Sequence, residues 1–366
     1  EMKPDAILGS TIGKLVKTTD EVSADKTDFI TVEDAKSMGY IIPDNYTSYD
    51  DNRFKSATGE YAVPRLNFDN VDKLMKAAHE NGVKLRGHTL VWHQQTPKYF
   101  FQQNYKITTG QKYNTSKECM DTRLEFYVKT VMNHVLSSEY ADCLYSYDVV
   151  NEYLHSANAE KDSKNITYWG LIYGTYDKSV KDHGVTLRPS YVKDAFKYAH
   201  EMLVKYDRLD VKLIYNDYNC YQNPENIIHL VDYINSEGKV CDGIGMQSHL
   251  DITDSFHSAT NYAKALEYFR LNCPDLEIQI TELDATMVST EDKPLTDEDQ
   301  AAYYDQIMNA ILTNKKNGGN ITALIIWSLY DGVSWRPAKF PCLFNGLYMP
   351  KAAFYAVIDA KKQYWD

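Results

Sequence analysis

From about residue 67 onward, short apolar runs alternate with amphipathic segments, and this alternation constrains the fold of the 366-residue chain more than any other feature. Strand-like runs cover Val83–Trp92, Leu144–Asn151, Val211–Asn216, Gly243–His249, Leu276–Thr281 and Thr322–Trp327. Most are almost continuously apolar, the pattern of strands buried on both faces. Helical spacing fills the gaps. Val71, Leu74, Met75 and Ala78 repeat at i, i+3, i+4 and i+7 before an Asn81-Gly82 stop. Ile227, Leu230, Val231 and Ile234 repeat the same way after Pro224, with an expected end at Gly238. Thr296 with Asp299 resembles a capping box opening a helix through Ile307 and Ile311. Strand-helix repetition of this kind gives an α/β fold with a parallel sheet, either doubly wound or closed as a barrel.

The polar residues separate these two options. A nucleotide-binding sheet carries a Gly-rich turn after its first strand, and neither GxGxxG nor GxxxxGK occurs here. Instead almost every strand ends in polar or aromatic side chains: His88 and Trp92, Asn151 and Glu152, Asn216 to Tyr218, Gln247 and His249, Glu282 and Asp284, and Trp327. A (β/α)8 barrel builds its site from many strand ends at one rim, so a TIM barrel is the better reading. Residues 10–66 are polar and lack sustained periodicity. They read as a long loop insertion with one short helix near Val32 to Met38, leaving 1–366 as a single domain.

Charge narrows the partners. Lys and Arg total 39 against 51 Asp and Glu, a net charge of −12, which argues against nucleic acid and anionic membranes. No apolar run spans a bilayer; the richest, Ala323 to Leu329, has the length of a strand. The 30 tyrosines suit surfaces that grip a neutral, weakly charged ligand such as a sugar, although core and rim packing accounts for most of them. The six cysteines are scattered without a CxxC pair or a His at zinc spacing, so neither a metal nor any other cofactor is expected.

Two carboxylates then stand out. Glu152 closes the run YSYDVVNE and Glu282 closes EIQITE, which directs both toward one rim. Glycosidic cleavage needs one carboxylic acid to protonate the leaving oxygen and a second carboxylate to attack the sugar or activate water. Either glutamate alone reads more simply as an ion pair or a cap; two at the ends of two buried strands favour catalysis. Asn151 reads either as a donor to a ring 2-hydroxyl or as a buried cap on a neighbouring turn, and His249 as a group that holds Glu282 ionised and oriented. A lone histidine on a strand is more often a satisfied core residue, and that reading applies to His249 and His88 alike. Trp92, Trp327 and Trp335 read either as flat faces for sugar rings or as core indoles.

Taken together, these segments resemble glycoside hydrolase family 10, the endo-β-1,4-xylanases. LRGHTLVWHQQTP (85–97) resembles that family's third-strand motif, DVVNE (148–152) its acid/base motif, YNDYN (215–219) its fifth strand, DGIGMQSHL (242–250) its sixth, ITELD (280–284) its nucleophile motif and WSLYDGVSWR (327–336) the aromatic segment after its eighth strand. The resemblance implies Glu152 as general acid/base and Glu282 as nucleophile in a retaining double displacement. It implies His88, Trp92, Asn151, Gln247, Trp327 and Trp335 as glycone contacts, Tyr218 on the aglycone side, and His249 and Asp284 as orienting groups. EMKPD at residues 1–5 resembles the segment after the second strand, which makes Lys3 a contact one subsite further out. Xylan and xylo-oligosaccharides are the implied partners, and a polymeric substrate implies a secreted or cell-surface location.

Two departures matter. Tyr147 stands where the family usually has Trp, and the family's first two strands have no counterpart among the six runs. A barrel lacking two adjacent strands would expose open edges, so chain segments or modules upstream of Glu1 are expected. Two other functions compete: a retaining β-glycanase acting on glucan or mannan, and a catalytically silent xylan-binding module.

Overall fold

The computed structural model describes residues 8–11, 66, 68–103, 114–156, 167–181, 183–288 and 294–364. The chain divides into two compact units, Glu1–Tyr215 with Asp232–Cys241 and Asn216–Val231 with Asp242–Asp366. Lys3 and the helix expected near Val32 to Met38 lie outside the described residues.

In the first unit, β1 (Leu8–Thr11), β2 (Leu85–Trp92), β3 (Leu144–Asn151) and β4 (Lys212–Asp217, through Tyr215) follow one another across the sheet. β1 pairs in parallel with β2, Leu8 opposite Leu85 and Thr11 opposite His88, and β2 pairs in parallel with β3. β1 adds to the six strands legible in the sequence and takes Ser10 and Thr11 out of the expected 10–66 loop. Its sequence, Leu-Gly-Ser-Thr, is too short and polar to register as an apolar run. Helix α1 (Asp69–Glu80) buries Val71, Met75 and Ala78 and ends at Asn81, with Gly82 at φ +64° as the spacing required. Helix α2 (Lys117–Ser137) starts at Ser116, whose hydroxyl accepts from the Cys119 N–H at 3.1 Å. Helix α3 spans Tyr168–Tyr173, and α4 (Ser190–Lys205), which buries Val192, Phe196 and Ala199, packs against α2. The Tyr147 ring is wholly buried against the backbone of Gly87, where an added Cβ would lie 2.4 Å from a ring carbon. Glycine at 87 is what makes room for that ring.

Helix α5 (Pro224–Ile234) stops four residues short of the expected Gly238. Asn235 is the reason: its Oδ1 accepts from the Val240 and Cys241 N–H groups and its Nδ2 donates to the Cys241 carbonyl, closing a turn.

In the second unit, β5 (Gly243–Met246), β6 (His249–Asp251) and β8 (Ile321–Ile326) all pair in parallel with β7 (Glu277–Thr286). The run expected as one strand, Gly243–His249, is split because Ser248 turns into the left-handed region at φ +62°. Helix α6 (Ala259–Asn272) and helix α8 (Ala352–Tyr364) both pack on α7 (Asp297–Lys316). The capping box at Thr296 and Asp299 forms as expected. Ile244, Ile278, Ile280, Tyr262, Tyr304 and Ile307 form the buried core. Each fully buried aliphatic side chain contributes about 1.5–3 kcal/mol. The long segment between β8 and α8 is tied down by a buried ion pair, Lys351 Nζ to Asp331 Oδ2 at 3.4 Å; Asp331 also accepts from the Cys342 N–H at 2.8 Å.

No described helix is long and apolar enough to cross a membrane. All six cysteines are free thiols.

Candidate active site

The carboxyl ends of several strands share a backbone device. Glu152 after β3, Asn219 after β4, Ser248 after β5 and Ser328 after β8 all have positive φ (57°, 52°, 62° and 71°). Left-handed conformations cost non-glycine residues roughly 1–2 kcal/mol each, and such strain concentrates where side chains must be aimed.

In the first unit, Glu152 is 6% exposed. Its Oε2 accepts from Trp92 Nε1 at 2.8 Å and from Gln94 Nε2 at 3.2 Å. The Trp92 carbonyl in turn accepts from the Thr96 hydroxyl at 2.5 Å, which closes the turn leaving β2. Trp92, expected as a sugar platform, is therefore also a donor to the glutamate. Behind it lies a buried charge pair: the Arg86 guanidinium makes a two-pronged bond to the Asp148 carboxylate. His88 Nδ1 sits 2.7 Å from Asp148 Oδ2, and the Thr89 hydroxyl donates to the Asp148 carbonyl at 2.9 Å. Asn151, at 2% exposure, ends β3 immediately before Glu152.

In the second unit, Glu282 is 4% exposed. It does not close its strand, as the sequence suggested, but sits within it. β7 runs on to Thr286 because Asp284–Thr286 pair with β6 and the Leu283 carbonyl accepts from the Trp327 N–H at 3.0 Å. Asn216 Nδ2 donates to Glu282 Oε1 at 2.9 Å, and the Thr281 hydroxyl donates to Asn216 Oδ1 at 2.7 Å. The threonine thereby fixes which end of the amide faces the carboxylate. His249 lies between two acids, Nε2 3.0 Å from Glu282 Oε2 and Nδ1 2.9 Å from Asp284 Oδ1. Burial alone pulls its pKa down, but the hydrogen bonds and charges of Asp284 and Glu282 together outweigh that and raise it from 6.5 to about 9. The imidazole thus sits hydrogen-bonded between two buried carboxyl groups. Asp284 Oδ2 accepts from Trp335 Nε1 at 2.8 Å. The His249 ring lies 4.8 Å from the Trp335 ring and 6.0 Å from that of Trp327, centroid to centroid. Gln247 is buried, its N–H donating to the Asp217 carbonyl at 2.9 Å; Tyr218 is half-buried, its N–H on Asp217 Oδ1 at 2.8 Å.

The structure thus brings His249, Asp284, Trp335 and Trp327 around Glu282, and Trp92 onto Glu152. It puts His88 on Asp148. Asn216, Gln94, and the Arg86–Asp148 pair are additions that the sequence reading did not single out as site residues. Opposite charges inside two otherwise apolar strands were the available signal for the last.

The chain matches the model of glycosyl hydrolase family 10 over residues 9–360. It is 39% identical over 361 residues to endo-1,4-beta-xylanase A of Butyrivibrio fibrisolvens, covering 98% of this chain and 74% of that protein. It is 34% identical to the bifunctional endo-1,4-beta-xylanase XylA of Ruminococcus flavefaciens, covering 83% of this chain but only 28% of that protein. Among solved structures, the intracellular xylanase TsXylA of Thermoanaerobacterium saccharolyticum superposes with a TM-score of 0.63 at 30% identity, over 80% of this chain and 81% of that one. TsXylA has been solved with xylotetraose and with xylotriose, each in a glutamate-to-alanine mutant. The fold is accordingly of the α/β, TIM (β/α)8-barrel class. The chain belongs to glycosyl hydrolase family 10.

Proposed function

We propose that the chain is an endo-1,4-β-xylanase that hydrolyses internal bonds of xylan with retention of configuration, with xylan and xylo-oligosaccharides as its ligands. Glu282 is the nucleophile and Glu152 the general acid/base. The observation that carries this assignment is the contrast between the two carboxyl groups. Glu282 shares with Asp284 the imidazole of His249, whose pKa is raised to about 9, which sets a cation beside the group that must attack. Glu152 receives hydrogen bonds from the neutral groups of Trp92 and Gln94, which suits a carboxyl that must cycle between its protonated and ionised forms.

In this mechanism Glu152 protonates the leaving oxygen while Glu282 attacks the anomeric carbon, forming a covalent xylosyl-enzyme. Glu152 then takes a proton from water, which attacks the same carbon and frees Glu282. Retention requires the two carboxyl groups about 5–5.5 Å apart. His88, Asn151, Gln247, Trp327 and Trp335 serve as glycone contacts, Tyr218 as an aglycone contact and Lys3 as an outer one; Trp92 combines its bond to Glu152 with a glycone contact. His249 and Asp284 orient the nucleophile. The family match over 9–360 supports one catalytic domain in 1–366. A polymeric substrate favours action outside the cell, yet TsXylA is described as intracellular, so family membership does not carry the location with it.

The test is product analysis. Purified protein should release reducing ends from xylan in preference to glucan and mannan, and proton NMR should show the β-anomer first. Initial release of the α-anomer would refute the double displacement, and preference for a hexose polymer would refute the xylan assignment. The Glu282→Ala variant should bind xylotetraose without cleaving it. A wild type that binds but does not turn over is a binding module instead.

A further inference from the structure

The Arg336 guanidinium carbon lies 3.8 Å from the centroid of the Trp335 ring, stacked over it. Stacking holds the planar fork in place and leaves its N–H edge available. Arg86, Arg123, Arg208 and Arg270 all donate to carboxylates or carbonyls. Arg336, although only half exposed, has no carboxylate or carbonyl acceptor for its guanidinium among the described residues.

Its position is tied to the site. Trp335, on which it rests, donates to Asp284, which in turn contacts the imidazole beside Glu282. Its backbone is anchored too, the Arg336 N–H donating to the Ser334 hydroxyl at 3.1 Å, in a segment fixed by the Asp331–Lys351 pair.

We propose that Arg336 is a specificity-determining residue that binds the carboxylate of an acidic side group on the substrate, making uronic-acid-decorated xylan the preferred substrate class. The inference rests on the xylanase reading and deepens it. A carboxylate entering a region that already holds Glu282 and Asp284, in a chain of net charge −12, meets repulsion unless a cation receives it. A guanidinium fork matches a carboxylate with two parallel hydrogen bonds, geometry that a neutral hydroxyl cannot supply.

Glucuronoxylan and the same polymer after chemical reduction of its carboxyl groups differ only at the side group's terminal carbon, a carboxylate in one and a neutral hydroxymethyl in the other, so kcat/KM on the two is the informative ratio. The wild type should favour the acidic polymer by about tenfold. Arg336→Gln should erase that ratio and Arg336→Lys, which keeps the charge but loses the fork, should retain a part of it. High salt should compress the wild-type ratio as well. A wild type with no preference overturns the proposal, as does a preference that survives in Arg336→Gln. Equal losses on both polymers in both variants also overturn it, showing Arg336 to be only a support for Trp335. If the wild type cleaves neither polymer, the xylanase reading fails first and this one falls with it.

Discussion

Glu152 and Glu282 are the same residue type, both almost wholly buried, both at or near the ends of parallel strands, yet their surroundings differ in kind. The Glu282 carboxylate has an imidazole on one oxygen and a threonine-oriented amide on the other. The Glu152 carboxyl has an indole and a side-chain amide on one oxygen, and its backbone is turned into the left-handed region. One environment sets a cation beside the carboxyl group; the other supplies neutral donors. In the mechanism proposed above, neighbours are what would divide the chemical roles, since the two side chains have the same intrinsic pKa.

The largest expected effect comes from removing the carboxyl group beside the cation. Glu282→Ala should lower kcat on xylan by at least about 10⁴-fold, because the covalent route is lost. A small external nucleophile such as azide should restore turnover on an aryl xyloside and yield the α-linked adduct. Recovery with the β-linked product would break the contrast.

Glu152→Ala should cost about 10²–10⁴-fold on xylan, the usual range for a general acid. On a xyloside with an acidic phenol as leaving group the loss in the first step should nearly vanish, since that group departs without a proton. Equal losses on both substrates would mean that Glu152 is not the acid.

Replacing the imidazole tests its neighbour more gently. His249→Asn should reduce kcat/KM by roughly 10–100-fold. The pH dependence follows from the raised pKa: the stabilisation is complete below about 6.5 and is lost as pH rises toward about 9, where the folded protein releases the proton. It amounts to at most on the order of 3 kcal/mol. Melting curves at pH 6 and pH 9.5 should therefore diverge less for His249→Asn than for the wild type. An unchanged difference would show that the charge on His249 contributes nothing.

The smallest effect concerns the strand that leads to Glu152. The Tyr147 hydroxyl is buried and has no hydrogen-bond partner among the described residues. Tyr147→Phe should leave kinetics intact and leave Tm unchanged or raise it, by up to about 1 kcal/mol of stability. A clear destabilisation would reveal a partner for that hydroxyl.

Much of this was legible in the sequence because it depends on period and chain order. Continuous apolar runs gave β2, β3 and the first half of β7, and the Thr296–Asp299 box gave the start of α7 to the residue. β1 was invisible because four residues with two small polar side chains carry no periodic signal. Asn216 stood among the polar strand ends, but a lone asparagine there reads as a cap; its identity as a Glu282 donor depends on a contact 66 positions away. His88 shows the reverse difficulty. Its strand end pointed to a ligand contact, while a carboxylate 60 positions along the chain had already engaged its ring.

The fit of Tyr147 over Gly87 has a consequence for how this strand pair can vary. The two positions form a lock of complementary volumes, one with no side chain and the other with a large one. A β-carbon at 87 has nowhere to go unless the ring at 147 is trimmed in the same step. Evolution and laboratory libraries alike must therefore change them together, and a single-site scan would wrongly score position 87 as immutable.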